Sequence, residues 1–497
     1  MDSEANAMDA KNLAVLMTLK NAMEMASPSP VPTPSPVPTP TPGPTPMSLN
    51  MRQNVMFGVT DFVNDAFNIS VAQTVINGVT GIDFVNLAFL WDTGQTAPGV
   101  FNWTDIDRTI RFYASKGIKV FGMIGTARSW STNNSVVPAD GRMVDSYGEY
   151  YQVPGGTAVI CVDHPGARAA AITWVQAVVN HINSTPDLKA AVVALSVTTT
   201  QDWETGYISK NNNPATNQER AVEYDRNPKF LERMYQRMPG WFGDVAGMNS
   251  YLSTSYTDFT QYVPPGLSQG PGGYGFPARD LWYKQRQQSI ADYFADAYAA
   301  IANIMPGENL YTQWSMVESN DSSKAGTSGA PIITPSFVKG MKFNPSPGAG
   351  LSLAVDILER ERDQEWWLAE IDGLYQGSER ENELKNQGVD LINMGATGVM
   401  LANFVIPGAN GSNQETADSI SRLQRIANTV RAAIPTNHIP KRRATNGRAV
   451  NISEKALIGT GYQSVASVGE YNQLTNNGNQ AARVRIIDDI LPPLTQS

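Results

Sequence analysis

The chain has 497 residues, of which 41% are hydrophobic and 17% are charged. That balance allows a large buried core and excludes a chain that is disordered throughout. The net charge of −9 argues against nucleic acid as the main partner, because no excess of basic side chains is available to neutralise phosphates.

Cysteine and histidine are both scarce. Cys161 is the only cysteine, so the chain forms no internal disulfide, and the only histidines are His164, His181 and His438. Three dispersed histidines exclude a His-rich metal centre and leave only an all-oxygen calcium site open. No run reaches the roughly 18 apolar residues that span a bilayer. We therefore expect no cofactor and no membrane span.

The N-terminal segment is dominated by proline. Residues 27–46 carry Pro at every even position from 28 to 46, which excludes a helix or a hydrogen-bonded strand and predicts an extended, semi-rigid spacer. Acidic residues precede the short apolar run at 13–19, which is the wrong sign for a secretory signal. We predict that residues 1–48 form a disordered segment with a Pro-rich linker and take no part in catalysis.

From Asn54 onward, short apolar runs alternate with longer segments of helical period. This alternation is typical of repeated βα units and predicts an α/β fold, a (β/α)8 TIM barrel over residues 49–436. The predicted helices cover Trp103–Lys116, Ala167–Ile182, Leu281–Ile304 and Thr416–Ala433. The predicted strands are Val55–Thr60, Phe84–Leu90, Lys119–Gly125, Ala191–Thr198, Asn309–Met316, Leu351–Ile357, Trp366–Ile371 and Gly398–Val405.

Two alternatives stay open for this region. Val245–Ser250 competes with the fifth and sixth strands for a place in the sheet. A doubly wound open sheet also fits the alternation, although no glycine-rich phosphate loop follows the first strand. Residues 437–497 alternate polar and apolar residues between Gly and Asn turns, which predicts a small C-terminal β-rich appendage of unassigned role.

Catalytic residues of such a barrel come from the C-terminal ends of its strands. Glu204 follows the fourth predicted strand and Glu370 ends the seventh. Strands four and seven lie on roughly opposite sides of an eight-stranded barrel, so these two carboxyl groups can face each other. Glycoside hydrolysis needs such a pair. A helix cap or a surface ion pair is the structural alternative for either residue. Other strand-end acids are Asp61, Asp92, Glu318 and Asp356.

Aromatic and polar residues near the strand ends are candidates for contacts with a sugar, since flat rings cover sugar faces and polar groups bind hydroxyls. A core or capping role is the alternative for each. The candidate substrate-binding residues are Trp91, Asp92, Trp130, Gln201, Asp202, Trp203, Trp314, Trp366 and Asn403.

Three segments resemble the family-42 β-galactosidase-like barrels among the clan-A glycoside hydrolases. They are FLWDTGQTAPGVFNWTDIDRTIRFYASKGIKVFGMIGTARSW at 89–130, ICVDHPGAR at 160–168 and DLWYKQRQQSIADYFADAYAAI at 280–301. The resemblance spans roughly residues 54–430. It implies retaining hydrolysis, often of β-linked galactosides, with Glu204 as acid/base and Glu370 as nucleophile. It also implies that Trp130 lines the sugar site.

The chain departs from the family at one position. The family has Asn directly before the acid/base glutamate, where it contacts the sugar 2-hydroxyl, and this chain has Trp203. Gln201 or Asp202 is then expected to take over that contact. The departure leaves room for a barrel that binds glycan without cleaving it.

Three functions therefore compete. The first is a retaining β-glycosidase acting on an oligo- or polysaccharide, the second a non-catalytic glycan-binding or surface-structural protein. The third is an unrelated barrel enzyme such as a metal-dependent hydrolase, against which the three histidines argue because none lies at a predicted strand end. The spacer and the sugar chemistry favour an extracellular or cell-surface location.

Overall fold

The computed structural model describes part of the chain. The described residues are 56–61, 76–129, 136–151, 157–200, 205–207, 210–216, 218–264, 277–314, 334–343, 366–371, 381–393, 396–402 and 413–434. The predicted segments 1–48 and 437–497 lie outside these residues, so the predicted domain boundaries stay predictions.

Eight parallel strands form the central sheet. They are β1 (Met56–Asp61), β2 (Phe84–Phe89), β3 (Lys119–Ile124), β4 (Val192–Val197), β5 (Tyr311–Trp314), β6 (Gly340–Phe343), β7 (Trp366–Ile371) and β8 (Gly398–Leu401).

The strand order closes the sheet on itself. Neighbouring strands of the sheet lie in the order β5-β6-β7-β8-β1-β2-β3-β4. The two edge strands of this order are therefore β4 and β5. A parallel bridge between Leu195 and Leu310 joins these two edges. The Asn309 side-chain amide also donates to the Val193 carbonyl across the same seam at 2.7 Å. Sequential parallel strands with a closed seam define a (β/α)8 barrel, which confirms the predicted architecture.

Helices follow most strands and cover the outside of the barrel. Within the described part of the chain, no helix is long and apolar enough to cross a membrane. The helices are α1 (Thr104–Ser115), α2 (Pro165–Ser184), α3 (Pro186–Ala191), α4 (Pro228–Phe242), α5 (Val245–Leu252), α6 (Pro277–Ala299), α7 (Glu381–Asn393) and α8 (Asn413–Ala432), with a short helical turn at Trp91–Gly94 and 3-10 turns at Phe259–Gln261 and Gly307–Asn309.

Short antiparallel strand pairs enlarge the carboxyl side of the barrel. Gln95–Ala97 pairs with Val100–Phe101 after β2, and Ala127–Ser129 pairs with Thr157–Val159 after β3. A third pair, Lys210–Asn212 with Glu219–Ala221, comes after β4. All three therefore belong to loops that leave the rim where barrel active sites form.

The two faces of each strand serve two cores because side chains alternate along a strand. In β7, Trp367, Ala369 and Ile371 join the large core between sheet and helices. Trp366 and Leu368 instead join the cluster inside the barrel. The other members of the interior cluster are Met56, Phe84, Phe121, Val193, Ala194, Tyr311 and Met400.

Glycines make room for the large interior rings. A Cβ on Gly340 of β6 would lie 2.1 Å from the Trp366 indole, and a Cβ on Gly58 of β1 would lie 2.5 Å from the Phe84 ring. Neither glycine has a positive φ, so space and not backbone conformation requires them. At these two positions the small residue thus leaves space for the large ring beside it.

The sixth strand was predicted wrongly. Residues 351–357, which the sequence favoured, lie outside the described residues, and the strand between β5 and β7 is Gly340–Phe343. Val245–Ser250 was also wrong as a strand alternative, since it begins the helix α5. Asp244 caps that helix by accepting a hydrogen bond from the Gly247 amide at 2.8 Å.

Candidate active site at the end of the seventh strand

Glu370 is the penultimate residue of β7 and lies level with Met400 of β8. It continues the inward series of Trp366 and Leu368, so its side chain faces the barrel interior at the C-terminal end of the strand. This is the end of the barrel at which catalytic side chains collect. The side chain is 3% exposed.

Two neighbouring side chains contact the Glu370 carboxylate. The Thr60 hydroxyl of β1 donates to Oε2 at 2.9 Å. The Lys342 ammonium of β6 lies 2.7 Å from the same Oε2, and this lysine is 1% exposed. Among the described residues, both contacts are to Oε2 and none is to Oε1. Both described contacts therefore hold the same oxygen of the carboxylate.

A neutral polar layer continues round the barrel below the carboxylate. The Asn86 amide of β2 donates to the Tyr311 hydroxyl at 2.6 Å and to the Phe121 carbonyl at 3.1 Å. The Tyr311 hydroxyl in turn donates to the Gly122 carbonyl. Burial raises the pKa of Tyr311, so this phenol stays neutral and brings no charge to the interior.

Glu204 itself lies outside the described residues, but the backbone on both sides of its segment is described. The Thr199 hydroxyl binds both the amide and the carbonyl of Gly206, at 2.8 and 3.0 Å. The Thr205 amide donates to the Gln313 carbonyl of β5 at 2.8 Å. These contacts attach the end of the loop after β4 to the neighbouring β5 strand.

Two of the predicted sugar platforms lie in the core. Trp91 is fully buried among the residues between sheet and helices, where its indole N–H donates to Gln95 at 2.7 Å. Trp366 is buried inside the barrel, where the Phe121 and Tyr311 rings pack against it. These positions correct the predicted sugar-contact role of both residues, since a buried ring has no face to offer a ligand.

The remaining predicted contacts divide into two groups. Asp92 is partly exposed on the helical turn that follows β2, which is compatible with its predicted role. Trp314 ends β5, and its side chain lies outside the described residues. Also outside them are Trp130, Gln201, Asp202, Trp203, Glu204 and Asn403.

Sequence reasoning missed Lys342 and Thr60. Lys342 was not predicted because the segment 340–343 was not recognised as a strand. Nothing in the short sequence MKF indicates that its lysine points into the barrel. Thr60 was recognised as part of the first strand, but nothing in its neighbours signals a partner 310 residues away. Register across strands, which the sequence does not fix, brings them together.

A second buried polar cluster lies outside the barrel, beside helices α4 and α6. Burial raises the pKa of Asp225 to about 7, while hydrogen bonds from Cys161 and the amides of Val144 and Asn227 oppose this rise. Burial also raises the pKa of Asp163, which accepts a hydrogen bond from Ser289. Within the described chain, no group of three or more His, Cys, Asp or Glu residues is arranged to bind a metal ion.

Comparisons with known proteins place the fold in one class. No family profile and no curated protein matches the sequence, but solved structures of glycoside hydrolases match the fold. The catalytic domain of a β-amylase from Paenibacillus polymyxa matches with a TM-score of 0.56 at 14% identity, over 77% of this chain and 99% of that one.

β-Galactosidases give similar matches. One from Bacillus circulans sp. alkalophilus has a TM-score of 0.52 at 13% identity, over 76% of this chain and 57% of that chain. A catalytic mutant of a family-42 β-galactosidase from G. stearothermophilus has a TM-score of 0.51 at 11% identity, over 76% and 57%. This chain thus spans little more than half of the β-galactosidase structures. At these identities the likeness establishes the shared barrel fold, in agreement with the resemblance in the sequence.

Proposed function

We propose that the protein is a retaining glycoside hydrolase that cleaves a β-glycosidic bond, with Glu370 as nucleophile and Glu204 as acid/base. The observation that carries the proposal is the inward carboxylate at the end of β7, which Thr60 and Lys342 bind through a single oxygen. A nucleophile has to be oriented before the substrate arrives, and these contacts hold the carboxylate in one orientation.

The reaction would proceed in two steps. In the first, Glu370 bonds to the anomeric carbon while the bond to the leaving group breaks and the proton of Glu204 passes to the leaving oxygen. In the second, Glu204 accepts a proton from water, the water oxygen bonds to the anomeric carbon, and Glu370 is released as a carboxylate. This mechanism requires the two carboxyl groups to lie about 5–5.5 Å apart.

The proposed substrate is an oligo- or polysaccharide with a β-linked sugar such as a galactoside. Rings of Trp130, Trp203 and Trp314 are proposed to cover its sugar faces. The polar residues proposed to bind its hydroxyls are Asp92, Gln201, Asp202 and Asn403. Such a substrate and the Pro-rich spacer support an extracellular or cell-surface location, which fractionation of the source cells would test.

A panel of nitrophenyl β-glycosides tests the proposal. We expect Glu370→Gln and Glu204→Gln to lower kcat/KM by at least about a thousandfold on any glycoside that the wild type hydrolyses, because each removes a reacting group. Glu232→Gln removes a carboxylate on the exposed side of α4 and is the matched control, with unchanged activity expected. NMR of the first-formed anomer distinguishes retention from inversion.

One observation favours a second candidate, a glycan-binding barrel without catalysis. A buried Lys342–Glu370 pair is also what a purely structural ion pair looks like. In that case the wild type would hydrolyse no glycoside but would still bind oligosaccharides in titration calorimetry. Glu370→Gln would then lower only the free energy of unfolding.

A further inference from the structure

Two groups contact the Glu370 carboxylate from the strands around it. The Thr60 hydroxyl of β1 donates to Oε2, and the Lys342 ammonium of β6 lies 2.7 Å from the same oxygen. Met400 of β8 lies level with Glu370 and Asn86 of β2 lies level with Thr60, and neither carries a charge. Among the described residues, Lys342 is therefore the cation that balances the Glu370 carboxylate.

We infer that Lys342 is a positioning residue that controls the second step of the proposed reaction, by stabilising Glu370 when it departs as a carboxylate. The inference rests on the proposed function. Lys342 acts with Thr60, because both bind Oε2 and so leave Oε1 as the oxygen that bonds to the sugar. Neither residue touches the sugar.

The direction of the effect follows from charge. In the first step the Oε1–carbon bond forms, the carboxylate loses its negative charge, and Lys342 is left beside a neutral ester in a buried site. In the second step water bonds to the anomeric carbon, the carbon–Oε1 bond breaks and its electron pair returns to Glu370. The ammonium of Lys342 therefore stabilises the departing carboxylate, most strongly in this low-dielectric interior.

The same contacts orient the carboxylate in the free enzyme. Thr60 and Lys342 hold Oε2 from two different strands. A purely structural lysine would change stability but not the relative rates of the two chemical steps, so these relative rates are the property to measure.

The test compares Lys342→Met, Lys342→Arg and Thr60→Val in the full chain with 4-nitrophenyl β-D-galactoside as probe. Lys339→Met, which removes a partly exposed lysine bound to the Ser336 carbonyl, is the matched control. Stopped-flow release of nitrophenol measures the first turnover, and the steady state measures the slower step. Melting temperatures show which variants fold.

We expect Lys342→Met to show a burst of one nitrophenol per active site and a steady-state kcat lowered by about a hundredfold. Lys342→Arg should restore most of the steady-state rate because it keeps the charge. Thr60→Val removes no charge and should show no such burst. A folded Lys342→Met without a burst would overturn the inference.

Wild-type turnover separates this inference from the proposed function. If the wild type hydrolyses no glycoside, the proposed function fails, and the inference fails with it. If the wild type hydrolyses the probe and a folded Lys342→Met shows no burst, the proposed function stands and only the inference is overturned.

Discussion

Asp225 is a fully buried residue with a titratable side chain. Its Oδ1 accepts hydrogen bonds from the Val144 amide at 3.0 Å and the Asn227 amide at 2.8 Å. Asn227 in turn caps α4 by accepting from the Lys229 amide and donates to the Asp140 and Arg142 carbonyls. Asp225 thus joins the loop after β3 to the start of α4.

The raised pKa of Asp225 predicts how stability depends on pH. In the folded protein this pKa is about 7, against a reference value of 3.8 for the unfolded chain. Folding therefore takes up a proton between these values, and the free energy of unfolding should fall as the pH rises from about 4 to about 7. The slope from this single group is at most about 1.4 kcal/mol per pH unit.

Asp225→Asn should remove this contribution, because Asn keeps an Oδ1 acceptor for both amides and has no proton to gain. Urea unfolding at pH 4, 5, 6 and 7 measures the slope in wild type and variant. Equal slopes in wild type and Asp225→Asn would contradict the assigned ionisation.

At the scale of elements, the strand β6 leaves space at Gly340 for the Trp366 indole of the neighbouring strand β7. Gly340→Ala would put a Cβ 2.1 Å from the Trp366 indole, so strand or ring must move. We expect a loss of about 1–3 kcal/mol in the free energy of unfolding. Gly240→Ala is the control, because no atom lies within 4 Å of its Cβ, on the exposed face of α4. It should stabilise by up to about 1 kcal/mol.

Chemical denaturation measures both variants. If Gly340→Ala unfolded at the same denaturant concentration as the wild type, Trp366 would not occupy the barrel interior beside β6. The assignment of Trp366 to the core and not to a sugar site would then lose its support.

The elements show how far sequence reasoning reaches. Seven barrel strands were predicted close to their observed ends, since runs such as WWLAEI in β7 are long, apolar and clearly bounded. Glu370 followed from its place at the end of that run. The four-residue strand β6 was missed because it contains an inward lysine, and a short run with a charge does not have the pattern of a buried strand. Trp366 was predicted to contact a sugar but packs inside the barrel. The sequence pattern is the same for a strand tryptophan that packs in the interior and for one that lies at the rim.

At the scale of the whole molecule, the enlarged loops and Glu370 share one side of the barrel. The antiparallel strand pairs after β2, β3 and β4 all belong to loops on its carboxyl side, where β7 presents Glu370. The opposite half of the interior is filled by apolar and aromatic side chains. Function is thus expected at one rim, while the packed interior below it maintains the strand register that brings Thr60, Lys342 and Glu370 together.

The most direct test of the central claim is covalent trapping of the nucleophile. A 2-deoxy-2-fluoro-β-glycoside with a good leaving group slows both steps and lets the glycosyl-enzyme accumulate. After digestion, mass spectrometry should find the added fluorosugar on the peptide that contains Glu370, and Glu370→Gln should remain unlabelled. A fluorosugar on another carboxylate, or hydrolysis of the parent glycoside without any labelling, would contradict the assignment of Glu370 as nucleophile.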